Sequence, residues 1–273
     1  MLLLYSLLFE GEIRALMQVR IVGAHQAETS QLRFTTLLID ERLVIDAGSL
    51  ASGLSLAEQL AVENVLLTHQ HWDHVKDLGA FGYNLFGAGQ AVTVYCTDEV
   101  REVISRQLFP SGFWMDFFTG PLAGQPVFLH RRVAPGGVLA VGGYRVLPIT
   151  VPHTVPTLGY QVTDAAGRRV LYSGDNGPGC GAYWAVAEPH VLITECTMPT
   201  AMTEDAAAHG HLSPATLEEA LAAFLRQRGY LPRVVVVHLN PFHEDQIRAE
   251  LGDVARRLGC VIDVGREGMA LTV

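Results

Sequence analysis

Thr68-His69-Gln70-His71-Trp72-Asp73-His74 is the stretch that decides the fold, because it places three imidazoles and a carboxylate directly after an apolar run. That run, Val65 to Thr68, is short and unbroken, which predicts a strand buried on both faces. A lone histidine at a strand end is usually structural, whereas packing alone hardly explains this density of ligand-type side chains. The alternation lets two imidazoles face one metal ion while Asp73 and His74 face a neighbouring ion. We therefore expect a loop that serves two ions.

Three further residues at predicted strand ends offer the ligands that such a site still needs. His153 lies in Val-Pro-His-Thr-Val-Pro, Asp175 in Tyr-Ser-Gly-Asp-Asn, and His238 follows the strand Val234 to Val237. His153 would be the third ligand of the first ion and His238 would complete the second, while Asp175 has two oxygens with which to bridge both. Neutral imidazole favours Zn²⁺, and the carboxylates also admit Mn²⁺ or iron. The sequence thus predicts two divalent ions that activate a water for hydrolysis.

Short apolar segments alternate with helical ones from Met17 onward, without a linker or a composition shift. Helices are predicted at Ser55–Ala61, from Pro214 to Gly229 and at Glu244–Leu258. Open sheets with crossover helices commonly place their sites at the carboxyl ends of strands, where this sequence carries its polar residues. The predicted strands are Gln18–Val22, Arg33–Ile39, Leu43–Ile45, Val65–Thr68, Ala91–Tyr95, Val127–His130, Tyr144–Val151, Gly159–Thr163, Arg169–Ser173, His190–Thr194, Arg233–His238 and Cys260–Val264.

The composition indicates one compact domain. The chain has 273 residues, of which 49% are hydrophobic and 17% charged, enough for a full core. Its net charge is -9 and its 19 Lys and Arg residues are scattered, so the basic footprint of a large nucleic-acid binder is missing. The four cysteines form no C-x-x-C pair, which argues against a disulfide framework and fits a reducing, cytoplasmic location.

The first sixteen residues, MLLLYSLLFEGEIRAL, are an N-terminal extension of uncertain status ahead of a single domain at residues 17–273. They lack a basic start and a cleavage site, so they do not resemble a signal peptide. Their apolar run is far shorter than the roughly 20 residues that cross a bilayer, and no membrane association is expected. A mis-chosen start codon and an extra packed helix both remain open.

The ordered set His69-x-His71-x-Asp73-His74, His153, Asp175, His238 resembles the metallo-β-lactamase-fold superfamily of metallohydrolases, from Met17 to the C-terminus. The resemblance implies an α/β (α+β) fold, a four-layer αβ/βα sandwich of two mixed sheets flanked by helices, with a dinuclear site at one edge. It also implies the ligand sets: His69, His71 and His153 on one ion, Asp73, His74 and His238 on the other, and Asp175 as the bridge.

The segment Gly210-His211-Leu212-Ser213-Pro214 places a further histidine just before a helix N-terminus, where free amides and the helix dipole favour anions. Together with Glu195 at a strand end, it resembles the ribonuclease Z-like phosphodiesterase branch of the superfamily. His211 would then contact or protonate a phosphodiester, Glu195 would orient its imidazole, and Asp73 could accept a proton. The alternatives are a helix cap for His211 and a solvated side chain for Glu195.

One departure from that branch bears on the substrate. Ribonuclease Z proteins that process tRNA carry a protruding arm between the third metal-binding His and the bridging Asp, but residues 154–174 have room only for two strands and a turn. With the acidic balance, this favours small or cyclic phosphodiesters over a large RNA. A ribonuclease Z-like RNA endonuclease, a lactonase or ester hydrolase, and a non-hydrolytic di-iron module remain alternatives, and the resemblance also implies a possible homodimer.

An aromatic stretch at residues 108–122 has no assigned role in this scheme. It could form a lid or a base-stacking wall near the site, or it could pack in the core or at a dimer contact. The stretch contains Phe109, Phe113, Trp114, Phe117 and Phe118, and structural roles are expected for the remaining histidines, which are His25, His130, His190, His209 and His243.

Overall fold

The computed structural model describes residues 16–120 and 125–273, so the expectations for residues 1–15 lie outside the described residues. The strands are β1 (Gln18–Gly23), β2 (Thr36–Ile39), β3 (Leu43–Ile45), β4 (Asn64–Leu66), β5 (Val92–Cys96), β6 (Phe128–Arg132), β7 (Leu139–Val141), β8 (Tyr144–Val151), β9 (Thr157–Thr163), β10 (Arg169–Tyr172), β11 (Val191–Glu195), β12 (Arg233–Val237), β13 (Ile262–Val264) and β14 (Ala270–Thr272). The helices are α1 (Leu50–Gly53), α2 (Leu56–Ala61), α3 (Trp72–Val75), α4 (Leu78–Ala88), α5 (Asp98–Val103), α6 (Gly181–Trp184), α7 (Thr203–Ala208), α8 (Pro214–Arg228) and α9 (Glu244–Leu258).

Two seven-stranded mixed sheets form the centre of the fold. The first has the order β14-β1-β2-β3-β4-β5-β6 and the second the order β13-β12-β11-β10-β9-β8-β7. In the first sheet β14, β1, β2 and β3 pair antiparallel and β3 to β6 pair parallel. In the second, β7 to β10 pair antiparallel and β10 to β13 parallel. Because β3, β4, β8, β10, β11 and β12 all end at one edge, that edge collects their polar residues.

Three apolar layers separate these elements, as the four-layer sandwich requires. Strand β1 shows the alternation: Val19 and Ile21 pack between the sheets, whereas Val22 packs under the helices of the first sheet. A third cluster, which contains Trp184 and Phe224, joins the second sheet to its own helices. The predicted fold class is therefore confirmed.

Local chemistry explains where the long helices begin and end. Ser213 caps α8 by accepting a hydrogen bond from the Thr216 N–H, Pro214 takes the first helical position, and Gly229 ends the helix with a φ of 75°. Helix α9 buries Ile247, Leu251 and Val254 on one face, as its spacing predicts. Both predicted helices are confirmed. Among the described residues, no helix is long and apolar enough to cross a membrane.

Some predicted strand bounds were wrong. The predicted strand Arg33–Ile39 begins only at Thr36, because Phe34 instead forms an isolated bridge to His25. The predicted strand that ran to Thr68 ends at Leu66, because the Thr68 N–H donates to the Asp46 carboxylate instead of a neighbouring strand. Strands β7 and β14 were not predicted, since each spans only three residues at the edge of a sheet.

His25 forms a buried charged clip between the two sheets. Its Nδ1 lies 2.7 Å from Glu267 Oε1 and its Nε2 lies 3.2 Å from Glu244 Oε2. Its backbone pairs with both Phe34 and Leu239, which connects the first sheet to the loop after β12. Burial alone would lower the pKa of His25, but Glu267 and Glu244 outweigh that effect and raise it above 6.5.

The clip predicts a pH-dependent stability. Because the folded-state pKa of His25 is raised, its contribution is fully present below about pH 6.5 and is lost as the pH rises through the raised value. Replacing His25→Gln should cost about 2 kcal/mol of unfolding free energy at pH 6, since hydrogen bonds to charged groups contribute about 1.5–3 kcal/mol. The cost at pH 9 should be smaller. Urea unfolding at both pH values measures it; the exposed His209→Gln is the control, and an equal cost at both pH values contradicts the prediction.

Candidate metal centre

The predicted ligands meet at the common edge of the two sheets. The first sheet supplies the loop after β4, in which His69 follows Leu67-Thr68 and α3 begins after His71. The second sheet supplies His153 after β8, Asp175 after β10 and His238 after β12. His238 has a φ of 59°, an uncommon conformation for a residue with a side chain. Neither sheet alone carries all the candidate ligands.

The candidate ligands form two groups that share one carboxylate. Oδ2 of Asp175 lies 3.2 Å from His74 Nε2, 3.5 Å from His238 Nε2 and 3.9 Å from His69 Nε2. Within each group the potential ligand atoms all lie within 4.8 Å of one another. The first group is His69, His71, His153 and Asp175, and the second is Asp73, His74, Asp175 and His238. The structure thus brings together all the predicted ligands in the predicted partition, with Asp175 between the groups, while their role in binding metal stays a prediction.

Buried atoms without partners test whether these residues suit metal ions. His69 Nε2, His74 Nε2 and Asp175 Oδ1 are buried and have no hydrogen-bond partner. Such atoms are costly unless something else satisfies them. Divalent cations in the two groups would do so, since imidazole nitrogen and carboxylate oxygen are their usual ligands. The cluster therefore fits divalent metal ions.

The protonation states of the cluster suit the same chemistry. Burial lowers the pKa of His69, His71 and His153, so their imidazoles are neutral and keep a lone pair for coordination. Burial opposes ionisation of Asp73 and Asp175, but neighbouring histidines outweigh it and hold both pKa values below their usual range. Burial would lower the pKa of His74 as well, but the neighbouring carboxylates outweigh it and raise that pKa, so a cation bound by His74 would replace a proton. Neutral imidazoles and ionised carboxylates are the forms that bind cations.

Asp46 supports the cluster from behind and was not predicted to have a role. Its Oδ2 lies 2.7 Å from His74 Nδ1, and its Oδ1 accepts the backbone N–H of Thr68 at 2.8 Å. Thr68 Oγ1 also donates to Asp46 and lies 2.9 Å from His69 Nδ1. By fixing the Nδ1 side of these rings, Asp46 and Thr68 leave the two Nε2 atoms directed at the site.

We expect Asp46→Asn to weaken metal binding by about 10–100-fold, the range typical of outer partners of metal-binding histidines. The amide keeps the side chain's size but replaces one acceptor oxygen with a donor that faces donors. A competitive chelator titration measures the change. Asp40→Asn is the matched control, because Asp40 also accepts a backbone N–H and a hydroxyl, from Gln18 and Tyr144, in the turn after β2. Unchanged affinity in Asp46→Asn would remove Asp46 from the site.

His211 lies beside the two groups and is held by Glu195. Its Nδ1 lies 2.9 Å from Glu195 Oε1, and its ring centroid lies 5.3 Å from that of His153 and 5.2 Å from that of His238. Burial alone would lower the pKa of His211, but Glu195 outweighs it and raises the pKa to about 9. Glu195 is fully buried, which excludes a solvated side chain. Ser213 is the helix cap, which leaves His211 free of that role.

Glu195, His211 and His238 form a third close group, but Glu195 has no free oxygen in it. Oε1 accepts the Asn176 N–H and faces His211, while Oε2 accepts the Leu212 N–H and the Thr197 hydroxyl. Thr197 Oγ1 also lies 2.9 Å from His238 Nδ1. The group is therefore a hydrogen-bonded network that orients His211 and His238.

The remaining candidates belong to neither ligand group. Phe109, Phe117 and Phe118 are buried in the core under the first sheet, so the wall or lid hypothesis is wrong for them. Phe113 and Trp114 are exposed, and Trp114 lies near Tyr83. Within the described part of the chain, no close group of potential ligands includes the histidines expected to be structural, which are His25, His130, His190, His209 and His243.

A family model described as "Beta-lactamase superfamily domain" matches residues 41–239. This chain belongs to the metallo-β-lactamase superfamily. The family and the His/Asp cluster support a metal-dependent hydrolase. Ribonuclease BN of Salmonella paratyphi C (strain RKS4594) is 23% identical over 237 residues, which cover 68% of this superfamily member and 73% of the relative.

Solved structures share the fold at low sequence identity. The metallo-beta-lactamase fold protein YhfI from Bacillus subtilis gives a TM-score of 0.76 at 17% identity, and the match covers 95% of this chain and 100% of YhfI. Unliganded yeast PDE1 gives 0.75 at 16% identity, covering 94% of this chain and 99% of its own. These likenesses establish the metallo-β-lactamase architecture.

Proposed function

We propose that this metallo-β-lactamase-superfamily protein is a phosphodiesterase with two metal ions that hydrolyses small or cyclic phosphodiesters. The observation that carries the proposal is the position of His211, whose Nδ1 lies 2.9 Å from buried Glu195 next to two ligand groups that share Asp175; Glu195 also raises the pKa of this imidazole to about 9. A cationic donor beside such a centre suits an anionic substrate whose leaving oxygen needs a proton. Hydrolysis of a lactone or ester has less need of it.

When bound, two divalent ions would lower the pKa of a water molecule and stabilise negative charge on the phosphoryl oxygens. The chain's own residues then divide the remaining tasks. His211 keeps its Nδ1 on Glu195, which leaves the Nε2 proton for the leaving oxygen. We assign to Asp73, whose side chain is partly exposed in the second ligand group, the task of accepting a proton from the attacking water. In this proposal His211 and Asp73 transfer protons, and Glu195 holds His211 in place.

The short connection between His153 and Asp175 supports a small substrate. Residues 154–174 contain β9, β10 and the turn between them, and these strands pair within the second sheet. No segment there protrudes as a substrate-binding arm would. Ribonuclease BN, a relative by sequence, keeps RNA cleavage as the second candidate, since the same bond is broken in RNA.

Three finer expectations belong to the same proposal. We expect Zn²⁺ as the first choice of metal, because histidine supplies most of the candidate ligands. The four cysteines are all free, which supports a reducing, cytoplasmic location. A homodimer is expected by resemblance to the ribonuclease Z-like branch, and size-exclusion chromatography with light scattering tests it.

A hydrolysis screen tests the proposed function. Protein loaded with Zn²⁺ or Mn²⁺ is assayed on cyclic nucleotides, linear dinucleotides, a tRNA precursor and lactones, beside elemental analysis and a visible spectrum. The expected result is turnover of the small phosphodiesters that falls strongly in His211→Ala. Preferred cleavage of the tRNA precursor would favour the endonuclease. Lactone turnover without phosphodiester turnover, or an iron spectrum without hydrolysis, would overturn the proposal.

A further inference from the structure

Asn176 follows the shared carboxylate Asp175 and is hydrogen-bonded through every polar group of its side chain. It is fully buried. Its Oδ1 accepts the Trp184 indole N–H at 3.0 Å, and its Nδ2 donates to the Gly174 carbonyl at 3.2 Å and to Ser173 Oγ at 3.4 Å. Its backbone N–H donates to Glu195 Oε1 at 3.1 Å. One residue therefore connects the backbone on both sides of Asp175 to the carboxylate that holds His211.

Trp184 gives this connection a rigid base. It ends α6, and its side chain is the largest among the fully buried ones in the described residues. Helix α6 packs against α8 so closely that a Cβ at Gly181 would collide with the Ala220 carbonyl. Helix α8 begins just after His211-Leu212. Through the Trp184 indole and α6, the Asp175 loop is thus connected to α8, the helix that begins just after His211.

Gly174 shows how little freedom the Asp175 loop has. Its φ is +64°, and a Cβ there would lie 3.2 Å from Thr68 side-chain atoms. A loop in so tight a conformation needs bonds that select it, and Asn176 Nδ2 supplies one to the Gly174 carbonyl itself. Without these bonds, the loop would have to be reordered when a ligand binds to Asp175, which would weaken that binding.

We propose that Asn176 and Trp184 are a positioning pair that keeps the Asp175 carboxylate and the Glu195–His211 pair in one fixed relation. Neither side chain belongs to the two ligand groups, so both act through the residues that they hold. The effect on metal affinity requires only that Asp175 binds metal. The effect on turnover rests on the proposed function.

The first test removes the indole donor. Trp184→Phe keeps an aromatic ring, and Asn176→Ala removes all the side-chain bonds. Both should lower metal affinity and kcat by about 10–100-fold, the range for outer partners of metal ligands, with KM little changed because neither side chain would touch substrate. Tyr230→Phe is the matched control, since it removes a hydroxyl donor to the Pro189 carbonyl in the same half of the fold. Its metal affinity and kcat should equal those of the parent.

The second test needs no catalytic activity and keeps Trp184 in place. The chain has three tryptophans, and Trp72→Phe with Trp114→Phe leaves Trp184 as the sole one. Adding Zn²⁺ to the metal-free double variant should change the emission of Trp184, and Asn176→Ala in that background should remove the change. If Trp184 does not respond to Zn²⁺ that binds, or if Trp184→Phe binds metal with parental affinity, the pair is not a positioning device. A normal response in a protein without phosphodiesterase activity would overturn the proposed function alone.

Discussion

Replacing Asp175→Asn should abolish hydrolysis and reduce the bound metal. Its carboxylate is the only side chain present in both ligand groups of the described residues, so one substitution affects both ions. The amide is neutral and cannot offset the charge of two cations. We expect a loss of activity on the order of 1000-fold or more, since several kcal/mol of charge stabilisation would disappear at about 1.36 kcal/mol per factor of ten. Elemental analysis of the purified variant, beside initial rates, measures both effects.

Asp263→Asn is the control for this substitution. Asp263 lies on β13 and pairs with Arg233 at the start of β12, the end of that strand opposite to the one that His238 follows. Its metal content and rate should stay at the parental level. Full metal content together with full activity in Asp175→Asn would contradict the idea that this carboxylate joins two ions.

Replacing His211→Ala should lower turnover by about 100- to 10,000-fold, the range of a positioned acid catalyst, while the metal content is retained. The loss should be largest for substrates with a poor leaving group, such as a cyclic nucleotide, because their leaving oxygen must be protonated. It should be smaller for bis-p-nitrophenyl phosphate, whose leaving group departs as a stable anion. Equal losses on both substrates would assign His211 to binding instead of proton donation.

The Glu195 carboxylate predicts the pH dependence of that step. His211 donates a proton only while it is protonated, so the rate should fall as the pH rises through its pKa, which Glu195 raises. Glu195→Gln removes the charge that raises it, and the basic limb of the kcat profile should move to lower pH. Gln keeps the size of the side chain, so stability serves as the check on folding. An unmoved basic limb would show that Glu195 does not control this proton.

Most of the candidate site could be predicted from the sequence, because four ligand-type residues lie in one loop and each of the other three follows a predicted strand. The residues from His69 to His74 are consecutive in the chain, and His153, Asp175 and His238 each follow a recognisable strand. Strand ends at one edge of a sheet meet in space, so linear order was enough to predict the meeting point. The two long helices were equally clear, α8 from Ser213, Pro214 and Gly229 and α9 from the helical spacing of its apolar residues.

The supporting residues gave no comparable signal. Asp46 lies 28 positions before His74 in the chain and sits in Asp-Ala-Gly, which is typical of an ordinary turn. Asn176 and Trp184 form a hydrogen bond that is buried where α6 packs on α8. The edge strands β7 and β14 are too short for alternation to be measured. Contacts of this kind depend on tertiary structure, which no local pattern reports.

The identical order of strand directions in the two sheets bears on how the site is divided between the two halves of the fold. Read as β14-β1-β2-β3-β4-β5-β6 and β7-β8-β9-β10-β11-β12-β13, each pairing in one sheet has its counterpart in the other. Asp46 directly follows β3, and Asp175 lies in the loop after β10, so each carboxylate comes after the fourth strand of its sheet in this order. Asp175 lies among the candidate metal ligands, whereas Asp46 contacts His74 from the side away from them. The corresponding loops of the two sheets thus carry different parts of the centre, and a fragment containing either half would hold an incomplete set of candidate ligands.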